Sequence, residues 1–306
     1  MPELPDILLY IESLTARIQG QVLERIRLGG PFVLRTVDPP LGQAEGRRVE
    51  GVRRIGKRIV FALEGDLFLV FHLMIAGRFH WKPAGAAVPP RVGLVACDFA
   101  SGTLLLTEVS RKKRAALHCV AGAAALAQFD RGGIEPLEAD AAAFRAALER
   151  ENHTLKRTLT DPRLFSGIGN AYSDEILHRA RLSPFRLSRS LSAEELQTLH
   201  RSTQAVLREW IERLRAETAG VFPNKVTAFR PEMAVHGRYR QPCPACGTPV
   251  QRIVYAENES NYCPTCQTEG RLLADRALSR LLKSDWPRTV AELEERLGQE
   301  RPPRTR

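Results

Sequence analysis

The sequence predicts an α+β protein with an N-terminal β-sandwich, one packed helix, a helical second half and a four-cysteine zinc hairpin. Three observations support this fold class. Short β-branched and aromatic runs, broken by Gly, Pro and Asp, fill residues 21–118. Apolar residues at helical spacing dominate residues 141–217. Two Cys-x2-Cys pairs then follow near the carboxyl end. A chain of 306 residues is long enough for about two domains.

The first 120 residues are predicted to form one helix and the β-sandwich. Ile7, Ile11, Leu14 and Ile18 recur at helical spacing, and Gly20 ends the pattern. Alternating or continuous apolar runs predict strands at 47–53, 58–63, 67–73, 92–99 and 103–107, with a hairpin turn at 100–102. A sheet with one apolar face needs a second layer, so the strands are expected to pack as a sandwich with the helix against it.

The remaining residues divide into four segments. Residues 121–140, rich in Ala and Gly, are predicted to be a linker, and 141–234 a helical domain. Ser192 and Glu195 form a predicted capping box at the start of a long amphipathic helix. Residues 235–270 contain the zinc hairpin, and 271–306 form a C-terminal extension with a short amphipathic helix that begins near Thr289.

Charge and hydropathy limit the possible partners. The chain has 45 Lys and Arg against 35 Asp and Glu, a net charge of +10. A basic surplus favours a polyanionic partner: nucleic acid first, an anionic membrane second and an acidic protein third. An enzyme that is basic without a polyanionic partner is the alternative. No apolar run approaches ~20 residues and no signal segment follows Met1, so we expect a cytoplasmic protein without a membrane partner.

The six cysteines fall into two groups. Cys243, Cys246, Cys263 and Cys266 form two knuckles at the spacing of a closed, tetrahedral zinc site, so one structural Zn²⁺ is predicted. Unrelated or disulfide-bonded cysteines are the alternative, which a reducing cytosol disfavours. Cys97 and Cys119 are isolated in apolar surroundings and are predicted to be buried thiols without chemistry.

A glycine-rich turn interrupts the helical half. Gly167-Ile168-Gly169-Asn170 stands directly before a helical pattern, so backbone N–H groups of the helix start can seat a phosphate there. Taken alone, the motif fits an ordinary turn between two helices better.

The first residues of the chain can supply a nucleophilic amine. Pro2 is small enough for Met1 to be removed, which would leave a secondary amine as the first group of the chain. An α-amino group has a pKa near ~8, about two units below a lysine, and its neutral form can attack an aldehyde-level carbon. Glu3 stands beside it as a general acid or base. The alternative is a plain N-terminal turn, with Glu3 favouring the helix dipole.

Together these features resemble the formamidopyrimidine-DNA glycosylase / endonuclease VIII family of base-excision-repair enzymes. The resemblance covers the chain in order from residue 1 to about 267. Its motifs here are Met1–Pro5, Lys57, His72–Gly77, Gly167–Glu175 with the helix–two-turn–helix pattern, and the four cysteines.

The resemblance implies a bilobal, monomeric DNA glycosylase and abasic-site lyase that turns a damaged nucleotide of double-stranded DNA out of the stack. Pro2 would attack the sugar C1′ and expel the base, Glu3 would assist at the sugar ring, and the Schiff base would break the strand by elimination. The resemblance places Lys57 among the catalytic residues. Its positive charge would hold phosphate together with His72 and Asn170. Lys57 as a solvated strand charge and His72 as a core histidine are the alternatives.

The chain departs from the family pattern at the position next to the nucleophile and in the segments that fill the gap left by a flipped nucleotide. Asp6 stands where the family commonly has Glu. Ile75, Arg111 and Lys113 occupy positions where the family typically has Met, Arg and an aromatic residue. Arg111 and Lys113 are predicted to bind DNA, but a lysine cannot stack between bases as a ring does.

A further departure lies before the second cysteine pair, where the family has an Arg that grips phosphate. Here Asn258 holds that position between Glu257 and Glu259, and Arg252 is the predicted DNA contact, with Arg238 and Arg240 also near. Residues 220–230 also lack the Gly-Thr-rich stretch of the oxidised-purine branch. Two alternatives to the glycosylase therefore stay open: a DNA-damage or junction binder with weak or no base excision, and a zinc-stabilised RNA-binding module.

Overall fold

The computed structural model describes residues 1–224, 226–227, 229–255, 258–274 and 287–299. Backbone contacts divide the chain into two compact units. Unit 1 contains residues 1–138, 161–168 and 207–228, and unit 2 contains residues 139–160, 169–206 and 229–306. The Glu257 position and the tail from residue 300 onwards, about which the sequence makes predictions, lie outside the described residues.

Unit 1 is built on two antiparallel sheets. The first has the strand order β1-β3-β4-β5-β9 and the second β2-β7-β8-β6. Phe99 pairs with Gly102 across the turn that joins β7 to β8, so the predicted hairpin forms there. The strands are β1 (Val22–Leu23), β2 (Arg25–Leu28), β3 (Arg47–Ile55), β4 (Arg58–Leu63), β5 (Leu67–His72), β6 (Gly77–Lys82), β7 (Gly93–Phe99), β8 (Gly102–Glu108) and β9 (Ala116–Ala121).

The main core contains side chains from both sheets and from helix α1 (Leu4–Ile18). Ile7, Tyr10, Leu14 and Ile18 form one face of α1 and are fully buried. Alternation along the strands sends Phe61 and every second residue around it into the same core, because successive strand side chains point to opposite faces. The β-sandwich with its packed helix is therefore confirmed.

A smaller core covers the other face of the first sheet, which we call the outer face. It contains Val60, Val70 and Val120 together with Leu126. Leu126 belongs to a helix, α2 (Ala123–Ala127), inside the segment predicted to be a linker. That segment differs from the prediction because its small residues form a one-turn helix that buries a single leucine, and residues 121–138 belong to unit 1.

Unit 2 begins with short helices and contains the start of a long one. Asp140 caps α3 (Ala141–Glu149) by accepting the N–H of Ala143 at 2.7 Å. The next helices are α4 (Leu155–Thr160), α5 (Asn170–Arg179) and α6 (Ala193–Thr218), whose last turns belong to unit 1. The predicted capping box forms: Ser192 Oγ accepts the N–H of Glu195 at 3.2 Å, and Glu195 Oε2 accepts the N–H of Ser192 at 2.8 Å.

The four-cysteine hairpin of unit 2 consists of β10 (Gln251–Tyr255), β11 (Asn258–Tyr262) and α7 (Pro264–Thr268). The two strands are antiparallel, and Arg252 faces Asn261 in the register. In the C-terminal extension, helix α8 (Val290–Gln299) starts where the sequence predicts, with Thr289 Oγ1 accepting the N–H of Glu292 at 3.2 Å.

Candidate active site and zinc centre

The first residues of the chain are part of the core of unit 1. Pro2 is buried, and Glu3 is only 2% exposed. The N–H of Glu3 donates to Asp6 Oδ2 at 3.0 Å, and the N–H of Leu4 donates to the carbonyl of Gly167 at 3.0 Å. Gly167 has φ of +81°, and a Cβ there would lie 2.8 Å from the Cβ of Leu4, so only glycine fits. Asp6 is one methylene shorter than the glutamate common at this position in the family that the sequence resembles, but its carboxylate still accepts the N–H of Glu3.

Burial and nearby charges act on the amino group of Met1. Burial is the largest influence and lowers its pKa from the ordinary 8.0. Glu3 and Asp6 act in the opposite direction, whereas Arg78 and Lys57 add to the lowering. An amine in this environment has a larger neutral, nucleophilic fraction at neutral pH than an exposed one. Pro2, Glu3 and Lys57, the predicted catalytic residues, thus lie in the same part of unit 1.

Arg78 is a residue at this site that the sequence did not identify. It follows Gly77 directly, at the start of β6. Its Nη1 donates to the carbonyls of Gly77 at 2.7 Å and Ile75 at 3.1 Å, and its Nε donates to the carbonyl of Val226. Three carbonyl partners fix the guanidinium without neutralising it, so its charge stays available near the amine. Its position directly after the His72–Gly77 motif was the signal that could have identified it.

His72 ends β5 and faces Arg58 of β4 across the sheet. Burial lowers the pKa of His72 to about 4, and the positive charges of Arg58, Lys57 and His118 contribute in the same direction. The imidazole is therefore neutral at pH 7 in the free protein. In that form it offers a hydrogen bond to a phosphate rather than a charge.

The predicted DNA-binding loop after β8 is closed by Glu108. Its carboxylate accepts the N–H groups of Arg114 at 2.8 Å and Ala115 at 3.0 Å. Lys113 Nζ donates to the carbonyl of the same glutamate. Lys113 is thus turned back onto its own loop, whereas Arg111 is exposed. Of these two predicted DNA contacts, Arg111 is accessible to a ligand, whereas Lys113 is held by its own loop.

Apolar side chains stand next to this loop. Gly77 of β6 pairs with Glu108 of β8, so the turn before β6 and the loop after β8 are adjacent. Ile75, in that turn, is 52% exposed, and Val109, in that loop, is 79% exposed. The rim of unit 1 therefore presents two aliphatic side chains in addition to its cations.

Asn170 begins α5, with Gly169 as the N-cap residue. Lys156 Nζ donates to the carbonyl of Asn170 at 2.6 Å and to Asp174 Oδ1 at 2.5 Å. Ser173 Oγ donates to the carbonyl of Gly169 at 2.6 Å. These bonds fix the first turn of α5, whose backbone N–H groups and partial positive charge suit an anion. The predicted turn before a helix is present.

A buried polar network extends from α5 to the segments around the cysteines. Asp174 Oδ2 accepts from Asn261 Nδ2 at 3.1 Å and lies 2.8 Å from His236 Nδ1. Glu175 accepts the N–H groups of residues 234, 235 and 236 at 2.7–3.0 Å, yet burial raises its pKa. Sequence patterns did not point to Lys156 or His236 in this network, because neither belongs to a local motif.

The four cysteines converge as predicted. Their sulfur atoms all lie within 4.8 Å of one another. Cys243 Sγ is 3.9 Å from Cys266 Sγ, and Cys246 Sγ is 3.4 Å from Cys263 Sγ. A tetrahedron of thiolates with Zn–S bonds of about 2.3 Å has edges of about 3.8 Å, so one Zn²⁺ fits. Four thiolates leave no coordination position for water, which makes the zinc structural.

His178 of α5 contacts the zinc centre from outside. Its Nε2 lies 3.2 Å from Cys243 Sγ. A ring N–H that donates to a metal-bound thiolate orients that ligand and stabilises its charge. Helix α5 is therefore connected to the cysteine hairpin through a histidine that the sequence did not single out.

Arg252, the predicted DNA contact of the hairpin, is exposed but engaged. Its guanidinium lies 4.8 Å from the ring centroid of Tyr239 and 3.7 Å from Glu259 Oε2. Arg240 lies 5.1 Å from the same ring. An exposed ion pair at this distance is weak, so Arg252 can exchange Glu259 for a phosphate at little cost.

Three family models match the chain. The formamidopyrimidine-DNA glycosylase N-terminal domain matches residues 1–115, the formamidopyrimidine-DNA glycosylase H2TH domain matches 133–220, and the zinc finger found in FPG and IleRS matches 240–268. Among curated proteins, the formamidopyrimidine-DNA glycosylase of Thermus thermophilus is 37% identical over 276 residues, 88% of this chain and all of that one. An uncharacterized formamidopyrimidine-DNA glycosylase-like protein of Mycobacterium tuberculosis is 43% identical over 129 residues, 42% of this chain and 80% of that one.

Solved structures named as Fpg proteins are similar to this chain as well. The crystal structure of the MutM (Fpg) protein from Thermus thermophilus gives a TM-score of 0.74 at 35% identity, covering 87% of this chain and 98% of that one. The Lactococcus lactis Fpg in complex with abasic-site DNA gives 0.77 at 26% identity, covering 87% and 99%. In the described part of the chain, no helix has the length and apolarity needed to cross a membrane.

A β-sandwich, a helical unit and a four-cysteine zinc finger together define a DNA repair glycosylase class. Within that class, the chain belongs to the formamidopyrimidine-DNA glycosylase family.

Proposed function

We propose that the protein is a bifunctional DNA glycosylase and abasic-site lyase of base excision repair, with Pro2 as its nucleophile. Its substrate is damaged double-stranded DNA, on which it acts as a monomer in the bacterial cytoplasm. A relative that aligns with this chain over its full length carries the glycosylase name, and a related structure holds abasic-site DNA. The observation that carries the proposal is the burial of Pro2 and Glu3 beside the cations Lys57 and Arg78.

The proposed chemistry begins after removal of Met1. The neutral Pro2 amine attacks the sugar C1′, the bond from C1′ to the base breaks, and the base leaves with a proton. Glu3 acts at the sugar ring: it takes the proton that the proline nitrogen loses and delivers it to the ring oxygen as the ring opens to the iminium. A base then removes a proton from C2′, and elimination expels the 3′ phosphate. Lys57 balances the phosphate charge during this step.

Each unit carries residues that are proposed to contact the DNA backbone. In unit 1, His72 offers a neutral hydrogen bond and Arg111 an exposed charge, with Lys113 joining after it leaves Glu108. In unit 2, Asn170 and the N–H groups at the start of α5 receive phosphate, as Arg252 does on the hairpin. The zinc maintains the hairpin that carries Arg252 and takes no part in bond breaking.

Borohydride trapping tests the nucleophile. Reduction during incubation with abasic-site DNA should give a covalent adduct whose tryptic peptide begins at Pro2, and Pro2→Gly should lose most of it. Lys57→Arg is the matched control, because arginine keeps the positive charge but forms no Schiff base; it should keep the adduct. An adduct that survives Pro2→Gly and disappears in Lys57→Arg would identify the lysine as nucleophile and refute the proposal.

A second function is favoured by the loop after β8. Lys113 bonds to Glu108 instead of projecting toward the gap that a flipped nucleotide leaves, so a DNA-damage binder with weak base excision is the alternative. A panel of duplexes, each with one lesion, separates the two functions under single-turnover conditions. Base release with any lesion supports the glycosylase. Tight binding across the panel without release supports the binder.

A further inference from the structure

Three nitrogen-rich side chains share the end of the outer face of the first sheet. Arg58 of β4 faces His72 of β5 in the register. His118 of β9 pairs with Val70, two residues from His72 and therefore on the same face. Because neighbouring strands are about 4.8 Å apart, the three strand positions span about 10 Å across the face. They lie where the apolar residues of the outer face end.

One aromatic ring holds two of these side chains. The guanidinium of Arg58 lies 5.6 Å from the ring centroid of Phe129, and Arg58 Nη1 is 3.4 Å from the Phe129 carbonyl. The ring of His118 packs edge-to-face on the same ring, with centroids 4.9 Å apart. Phe129 itself packs against the outer-face core. The arginine and the histidine are therefore held in place by packing and not by an acidic partner.

Positive charge accumulates here without compensation. Within the described residues, Arg58 has no carboxylate partner, and the rings of His72 and His118 have no hydrogen-bond partner. In the part of the chain that the structure describes, the charged groups that act on these side chains are all positive: Arg131 acts on Arg58, and Arg35 acts on His118. Burial is the main reason that the pKa of Arg58 is lowered. An anion placed among them would relieve this repulsion and gain three directed donors.

We propose that Arg58, His72 and His118, with Arg131 at the rim, form a phosphate-binding site for the backbone of bound DNA. This inference rests on the proposed function. It adds Arg58 and His118 to the phosphate contacts of that function, and it gives His72 two cooperating neighbours. The site suits a polyanion better than a free phosphate, because Arg35, Lys57 and Arg131 continue the positive charge beyond it.

Salt-dependent binding tests the site. Fluorescence anisotropy measures the Kd for a duplex with an abasic-site analogue at several chloride concentrations. Arg58→Gln should weaken binding roughly tenfold and reduce the slope of log Kd against log salt by about 1, as expected for one lost phosphate contact. His118→Gln should weaken binding by a smaller factor. Arg131→Glu changes an exposed residue, so it should fold normally and weaken binding at least as much as Arg58→Gln.

Arg48→Gln is the matched control. Arg48 is exposed and belongs to β3 of the same sheet, about 23 Å along the strand from the Ile55 position that pairs with Arg58. It should leave the affinity and the slope unchanged. Folded Arg58→Gln and Arg131→Glu proteins that both bind like Arg48→Gln would overturn the site. If Arg58→Gln does not fold, Arg131→Glu decides alone.

Two further results distinguish the phosphate-binding site from the proposed function on which it rests and from a site for a free anion. Wild-type protein that binds neither abasic-site nor undamaged DNA would refute the proposed function itself, before any variant is compared. Millimolar inorganic phosphate, at constant ionic strength, should leave the thermal unfolding of the wild type unchanged. A phosphate-dependent rise in Tm that Arg58→Gln abolishes would assign the site to a free anion and overturn its assignment to the DNA backbone.

Discussion

Lys156→Met should destabilise unit 2 by breaking a buried ion pair. The side chains of Lys156 and Asp174 are 3% and 0% exposed, and their charged atoms are 2.5 Å apart. Methionine keeps most of the length and volume of lysine, but among the described residues it leaves the Asp174 carboxylate with Asn261 and His236 as partners. Removing one member of a buried pair costs about 3–5 kcal/mol, because the other charge stays buried without compensation.

Urea unfolding followed by circular dichroism, at pH 7 with zinc present, measures this loss. At a slope of about 2 kcal/mol per molar urea, the expected change moves the midpoint of the unit 2 transition down by roughly 2 M. Arg145→Met is the matched control, since Arg145 forms an exposed pair with Glu149 on a helix of the same unit. An exposed pair of this type contributes about 0.3–0.5 kcal/mol, so the control midpoint should hardly move.

A double variant separates charge from shape. Lys156→Met combined with Asp174→Asn leaves no charge of the pair behind, so it should recover at least half of the lost stability. If Lys156→Met unfolds within about 1 kcal/mol of Arg145→Met, the carboxylate does not depend on the lysine and the reasoning is refuted.

Three more predictions follow from the described contacts. Folding holds the pKa of His72 at about 4, below its ordinary 6.5, so between these pH values the unfolded chain binds a proton that the folded protein does not. Wild-type stability, measured in urea titrations, should therefore fall between pH 6.5 and 4 by on the order of 1–3 kcal/mol more than that of His72→Gln. His178→Phe removes the donor to Cys243 and should speed zinc transfer to a chromogenic chelator about tenfold; an unchanged rate would contradict a role in zinc retention. Cys263→Ser should abolish DNA binding by unfolding the hairpin, and retained lyase activity in the metal-free protein would show otherwise.

Local patterns predicted the elements whose signals are complete within a few residues. The strand at 58–63 was predicted to the residue, because its β-branched and aromatic run has clear boundaries. The zinc centre and the capping box of α6 were predicted for the same reason. Strands β1, β2, β6 and β9 were not predicted; of these, β6 contains Gly, His and two cations, and β9 is rich in Ala. Each becomes a strand through pairing with a neighbour distant in sequence, which propensity does not record.

The candidate site was predicted to the extent that its residues belong to motifs. Glu3 and Lys57 could be found in this way. Arg78 needed the turn that brings it toward the amino terminus, and Lys156 needed the approach of α4 to α5. The direction of Lys113 could not be predicted either, since a side chain that turns back to its own loop does so through local geometry.

The two cysteines outside the zinc hairpin give the protein an internal reference for thiol labelling. Cys97 and Cys119 are buried, and burial raises the pKa of Cys97 to about 12 and that of Cys119 to about 11. Almost no thiolate forms at either residue at pH 8, so an alkylating reagent has little to react with while unit 1 stays folded. Each alkyl group added to the native protein therefore reports a hairpin cysteine without its metal. Intact-mass spectrometry can then measure zinc occupancy in a mixed sample, molecule by molecule, without a metal assay.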